Sequence, residues 1–246
     1  MTAIIGILCS DGVVIASDSS STFSAGNIRT IEQPSKKCEV INGDIITCGT
    51  GEVGLNQRFQ DILITHWDTF RKPHPKSAIA ICTSISTTTI MNFQSTGVKT
   101  PTYGSVVGFY HNGEFHLCEF AVGSIQPEMK TKSMWWVSMG SGQTITDPFL
   151  GFVRKIFWDD KQPNLTAGIY GAIWALEHVI SLNPGGIGGD IQMAILSKDK
   201  NGKPLPRLLD EQELSEHKEY VHSFEDEIKK CKSNFNNTQT TTPKFV

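Results

Sequence analysis

No uninterrupted apolar run in this chain of 246 residues approaches the ~20 that a membrane-spanning helix needs. Positive charge is also in short supply, with 22 lysines and arginines against 25 aspartates and glutamates, a formal net charge of −3. Without a basic excess the chain lacks the field that holds nucleic acid or an anionic membrane surface. Its six cysteines include no CxxC pair and lie scattered at Cys9, Cys38, Cys48, Cys82, Cys118 and Cys231. Disulfide frameworks and zinc sites cluster their cysteines more tightly, so these read as buried thiols of a cytosolic protein. The first residues show neither the basic region nor the cleavage site of a signal peptide. His66 and His74, His111 and His116, and His217 and His222 fall in no metal-ligand pattern. The expectation is a soluble cytoplasmic protein with no nucleic-acid or membrane partner.

What is present is enough apolar residue, 39% against 19% charged, to exclude a disordered chain or a coiled coil. Three Asn-Gly or Asp-Gly pairs between apolar runs predict hairpins: residues 3–9 and 12–18 about Asp11-Gly12, 38–41 and 44–49 about Asn42-Gly43, and 104–111 and 114–120 about Asn112-Gly113. Two later runs, 134–139 and 190–197, also read as strands. Helical spacing marks 52–71, with Phe59, Ile62, Leu63, Trp67 and Phe70 on one stripe, and 77–93. A third helix is predicted from Asp147 as N-cap and Pro148 in the first turn, carrying Phe149, Phe152, Val153, Ile156 and Phe157. A fourth spans 166–182 and stops at Asn183-Pro184-Gly185-Gly186. The five-residue Gly185–Gly189 stretch reads as a tight turn, since no lysine or Ser/Thr follows as a phosphate loop requires. A charged helix is expected over 210–232, and a disordered tail from Ser233. Strands, two helices, strands, two helices, strands is an α+β order, with helices packed outside antiparallel sheets.

The chemistry gathers at the start of the chain. Removal of Met1, which the small residue after it permits, leaves Thr2 with a free α-amine beside its own hydroxyl. Such an amine titrates at ~7.7–8.0, close to working pH, so nucleophile and base are one residue. The first hairpin returns Asp18 to the level of Thr2. A carboxylate there needs a cation to act through, and Lys36 and Lys37 precede the 38–41 strand. A lysine in that place favours the neutral amine and the developing alkoxide. Gly49-Thr50-Gly51 ends a strand and opens a helix, where backbone N–H groups form an oxyanion hole and glycine lets a carbonyl come close.

Thr2, Gly12–Asp18, Lys36-Lys37 and Cys48–Gly51 together resemble the β-subunits of the proteasome, a pattern shared by the bacterial HslV and Anbu proteins among the N-terminal nucleophile hydrolases. The similarity covers roughly residues 2–210. It implies Thr2 as nucleophile and amine base, Asp18 and a lysine as partners, and Gly51 as oxyanion donor. Lys37 is preferred over Lys36 because it immediately precedes its strand, as the family's lysine does. The resemblance further implies a role for Ser141 in the Gly140-Ser141-Gly142 turn, for Thr22 in holding substrate backbone, and for Gly49 and Val53 in lining an open apolar pocket. One stretch departs: where the family carries an aspartate followed by a serine near the fourth helix, this chain reads Asn183-Pro184-Gly185-Gly186-Ile187-Gly188-Gly189-Asp190. Support around the amine must therefore differ, with backbone carbonyls as the substitute. The absence of a long N-terminal helix favours a β-type chain over an α-type one.

The resulting expectation is a four-layer αββα sandwich of two antiparallel sheets flanked by helices, with a hydrolase domain over 1–210 and a C-terminal helix and tail over 211–246. Its function would be that of a threonine-type peptide hydrolase acting on peptides or unfolded protein, with no metal or other cofactor. A ring or helical homo-oligomer is expected, because Trp135-Trp136 and the apolar third helix exceed what one core covers. A separate ATPase is a possible partner. The alternatives are a catalytically silent assembly subunit and a small-amide amidase of the same superfamily.

Overall fold

The chain opens with β1 (Ile4–Cys9) and β2 (Gly12–Ser17), in which every residue is buried. The structure, a computed structural model describing residues 1–25, 28–72, 76–182 and 185–231, covers this hairpin on both faces. A second sheet lies on one side and a helical layer on the other. Cys9 pairs with Gly12, so the turn is Ser10-Asp11, one residue earlier than Asp11-Gly12 suggests. Gly12 is already in the strand, where a Cβ would stand 2.6 Å from the Leu196 carbonyl oxygen. The Asp11 carboxylate instead accepts the Leu165 N–H at 2.7 Å and caps a distant helix.

A polar ribbon follows, β3 (Ser20–Ala25) against β4 (Ile28–Pro34). Its serine-rich first strand and polar second strand carry no apolar alternation, so the sequence gives them no signal. Then come β5 (Cys38–Ile41), β6 (Ile45–Gly51), α1 (Val53–Arg71), α2 (Ala78–Gln94), β7 (Tyr103–His111), β8 (Glu114–Phe120) and β9 (Pro127–Met129). They are followed by β10 (Trp136–Met139), α3 (Gln143–Phe157), α4 (Leu165–Leu182), β11 (Gln192–Lys198), β12 (Pro204–Leu208) and α5 (Glu211–Lys230). The first sheet runs β10-β1-β2-β11-β12 and the second β5-β6-β7-β8-β9, every pairing antiparallel. Helices α1 and α2 close the outer face of the second sheet over Phe59, Leu63, Trp67, Phe109 and Phe120. Helices α3 and α4 cover the first sheet. This is the expected four-layer α+β sandwich. Asn112-Gly113 makes the foreseen two-residue turn, both residues at positive φ (51° and 87°).

Helix α3 begins earlier than Asp147 and Pro148 suggest. Its N-cap is Gly142, and both the N–H and the hydroxyl of Thr146 bond to the Gly142 carbonyl, at 3.0 and 3.1 Å. Pro148 therefore lies inside the helix and forfeits one intrahelical bond. Asp147 receives the Ser138 hydroxyl and, at 3.1 Å, the Gln143 amide. Strand β10 with its Trp135-Trp136 approach belongs to the first sheet, and the tryptophans are buried and half-buried rather than turned outward. The Arg154 guanidinium lies 5.1 and 5.6 Å above the two indoles and covers what alternation would have exposed. Helix α4 is long and apolar enough by composition to cross a membrane, the one such helix among the described residues. Here its apolar circumference packs on β1 and β2 on one side and under α5 on the other. His74, the Asn183-Pro184 helix stop and the tail from Ser233 lie outside the described residues.

Candidate active site

Ile4 stands opposite Ser17 across the first hairpin, so Asp18 returns beside Ala3. The Ala3 N–H donates to Asp18 Oδ1 at 2.9 Å, and the Asp18 N–H donates back to the Ala3 carbonyl at 3.3 Å. Asp18 is wholly buried, and a carboxylate there must be well supplied with donors. Ser20 N–H (3.2 Å) and Gly188 N–H (3.3 Å) bond to Oδ2, and Lys37 Nζ lies 2.8 Å from Oδ1. The same ammonium donates to Thr2 Oγ1 at 3.4 Å. Lys37 thus bridges carboxylate and hydroxyl from a buried position. Lys36 points outward, 3.9 Å from Glu39.

Gln192 fixes the backbone that carries this lysine. Its Oε1 accepts the N–H groups of Lys37 (2.7 Å) and Cys38 (3.2 Å), and its Nε2 donates to the Ser35 carbonyl at 2.7 Å. Sequence reasoning missed it. The available signal was one glutamine opening an otherwise apolar strand.

Ser141 meets the nucleophile candidate from the other side. The Thr2 N–H donates to Ser141 Oγ at 3.2 Å, and that hydroxyl donates to the Thr2 carbonyl at 3.4 Å. Gly142 N–H also donates to the Thr2 carbonyl, at 3.2 Å. Gly140 makes the approach possible: its φ is +88° and a Cβ would lie 2.2 Å from the Thr2 carbonyl oxygen. With Met1 in place, the Thr2 hydroxyl donates to the Met1 carbonyl at 2.7 Å.

The Gly185–Gly189 stretch contributes backbone rather than side chains. The Gly188 carbonyl accepts Ser19 and Ser20 N–H at 3.2 and 3.0 Å, while its N–H goes to Asp18. Gly189 has φ +74°, and a Cβ there would press within 2.4 Å of Ser19 Oγ. The stretch is thus a glycine backbone passing close to β2 and β3, holding Asp18 by its amide and Ser19 and Ser20 by its carbonyl.

Thr2, Thr22, Gly51 and Val53 share a cavity of about 660 Å³ with Phe23, Glu52 and Thr102. Gly51 ends β6 just before the α1 N-cap, at φ +106°, with the Thr102 carbonyl oxygen 1.8 Å from where a Cβ would be. Gly49 does not line this cavity. Asn56 and Tyr103 fill the space its side chain would take. The cavity is also less apolar than expected, since Glu52 enters it, held by the Thr102 hydroxyl. Among the described residues no group of three His, Cys, Asp or Glu is gathered to hold a metal ion.

Residues 2–152, more than half of the chain, match the family model described as proteasome subunit. The chain belongs to the proteasome subunit family. No curated protein matches the sequence. In this proteasome-family chain the matched segment carries Thr2, Asp18, Lys37, Gly51 and Ser141. The supporting Gly188 and Gln192 lie beyond it. The sandwich described above is the N-terminal nucleophile hydrolase fold of that family. Chemically, Thr2 lines the cavity while a buried cation and its anchoring carboxylate lie behind the hydroxyl, which suits attack on a carbonyl carbon.

Proposed function

We propose that this chain is a threonine peptidase in which Thr2, freed of Met1, is nucleophile and, through its α-amine, general base. One observation carries the reading: the Lys37 ammonium is buried between Asp18 (2.8 Å) and the Thr2 hydroxyl (3.4 Å). A cation in that position favours the unprotonated amine and stabilises the alkoxide as the hydroxyl gives up its proton. Asp18 positions the ammonium. Ser141 Oγ, 3.2 Å from the Thr2 nitrogen, orients the freed amine and relays its proton. The Gly51 N–H, at the mouth of α1, receives the oxyanion. Thr22 and Val53 flank an extended peptide substrate. The amine then activates the water that cleaves the ester on Thr2.

A second reading is a silent assembly subunit that keeps Met1, whose carbonyl accepts the Thr2 hydroxyl at 2.7 Å. While Met1 stays, the base is an amide and cannot accept a proton. The intact mass of protein made in cells separates the two, read beside labelling of Thr2 by an electrophilic peptide probe. Loss of Met1 with labelling of the wild type and none of Thr2→Ala supports the peptidase. A retained Met1 and an unlabelled Thr2 overturn it. Preference for small-amide over peptide probes would assign the amidase activity instead. The setting we propose is a cytoplasmic homo-oligomer, built partly through Phe152 and Ile156, both about half exposed on α3. Peptides or unfolded chains are the substrates, delivered by an ATPase if they are long.

A further inference from the structure

Cys38 begins β5 directly after Lys37, and Cys48 stands opposite it on β6. Both belong to the core between the two sheets, so both side chains leave the hairpin on one face. Directly opposed residues of an antiparallel pair have Cα atoms ~4.5–5.5 Å apart, within the ~4.4–6.8 Å that a disulfide spans. Cys38 Sγ also touches Ser17 Oγ (3.5 Å) and the Gln192 carbonyl (3.5 Å), so it ties β5 to the sheet that carries Thr2 and Asp18.

The two sulfurs differ. A hydrogen bond from the Cys48 thiol holds the Cys38 pKa below its ordinary value against the effect of burial, helped by the Ser17 hydroxyl and the Lys37 charge. Burial pushes Cys48 well up, so Cys38 is the more acidic of the two thiols. Cys9 and Cys118 are also pushed up by burial. Cys38 in addition lines a cavity of about 560 Å³ on the Ser35 and Leu214 side, room enough for an oxidant the size of water.

We propose that Cys38 and Cys48 are an oxidation site for hydrogen peroxide, forming a cross-strand disulfide that disconnects Lys37 from its support. The Cys38 thiolate attacks one peroxide oxygen; the S–O bond forms, the O–O bond breaks, and the departing hydroxide takes up the Cys38 proton as water. The Cys48 sulfur then attacks the sulfenic sulfur of Cys38. The S–S bond forms, the S–O bond breaks, and the leaving hydroxide takes the Cys48 proton. Two thiols are oxidised and one peroxide is reduced to two waters. The bridge draws Cys38 Sγ away from Ser17 and Gln192, and Lys37 is the residue immediately before it. Because opposed strands hold Cβ atoms slightly farther apart than a relaxed disulfide, the bridge is strained and readily reduced.

The test uses full-length Cys231→Ser protein, which lacks the exposed thiol, treated with dilute hydrogen peroxide. Expected is a loss of two hydrogens in intact mass, a Cys38–Cys48 linked peptide on non-reducing mapping, and full reversal by dithiothreitol. Thr2→Ala protein should form the bridge equally well, since the chemistry does not use Thr2. Cys48→Ser should stop at a Cys38 sulfenic acid that dimedone traps. No bridge, or a bridge confined to Cys82 and Cys118, overturns the proposal. Coupling to Lys37 rests on the peptidase reading: bridged wild type should lose most of its labelling by a Thr2-directed probe and regain it on reduction. Undiminished labelling of the bridged protein overturns the coupling. Failure of the reduced protein to label overturns the peptidase reading and leaves the bridge intact.

Discussion

Lys37 and Asp18 are buried together, yet the two are not equally supported. Asp18 accepts from Ala3, Ser20 and Gly188 main-chain N–H groups as well as from Lys37 Nζ. Replacing Lys37 by alanine leaves the carboxylate with three donors and chiefly removes the cation beside Thr2. Activity should fall by an amount equivalent to about 2–4 kcal/mol of transition-state stabilisation, the scale of one preorganised electrostatic group. Lys36→Ala, which disturbs only an exposed contact with Glu39, should leave kcat/KM nearly unchanged. The opposite ranking in peptide-cleavage kinetics would move the site by one residue. Asp18→Ala removes an acceptor from the buried Ala3 and Ser20 amides, the half-buried Gly188 amide and the buried Lys37 ammonium at once. It should cost more stability than Lys37→Ala, about 3–5 kcal/mol in urea unfolding. Equal midpoints for the two variants would contradict this accounting.

Among the elements, α5 is where local sequence and tertiary demand agree most plainly. Asp210 accepts the Glu213 N–H at 2.8 Å, and Glu213 reaches back to the Asp210 N–H at 3.2 Å, a reciprocal cap on the helix that shields α4. Asp210→Ala should lower stability by about 1 kcal/mol, seen as a drop in Tm of about 2–4 °C. Elements with such local signals were legible: α1 by its aromatic stripe, β7–β8 by Asn112-Gly113, β1 and β2 by unbroken apolar runs. The ribbon β3–β4 was not, because its sequence carries no alternation of apolar and polar residues that would mark a strand. The start of α3 differs from the expected one because Asp147 and Pro148 imitate a helix entry, while Gly142, tied by its N–H to the Thr2 carbonyl, opens the helix with its own carbonyl. At the site, the return of Asp18 beside Thr2 could be read from the lengths of the first two strands, whereas the choice of Lys37 over Lys36 needed the family resemblance. Gln192 and Gly188 could not, since their roles depend on a chain reversal more than a hundred residues away.

At the scale of the molecule, α3 sets three large apolar side chains outside on one helix, Phe152 and Ile156 about half exposed beside Phe157. Light scattering at micromolar concentration should show a species much heavier than the 27.1 kDa chain. Phe152→Asp should shift it toward smaller forms without changing the far-ultraviolet circular dichroism. A wild-type monomer would argue against assembly through this face while leaving the chemistry of Thr2 untouched.

The long reach of the contacts around Thr2 also sets when the site comes into being. The Thr2 nitrogen waits for Ser141, the Asp18 carboxylate for Gly188 and the Lys37 backbone for Gln192. A ribosome must therefore release most of the chain before the hydroxyl, the cation and their anchors can meet. During synthesis the nascent protein carries Thr2 without these neighbours, and chain made late, not early, is what completes its surroundings.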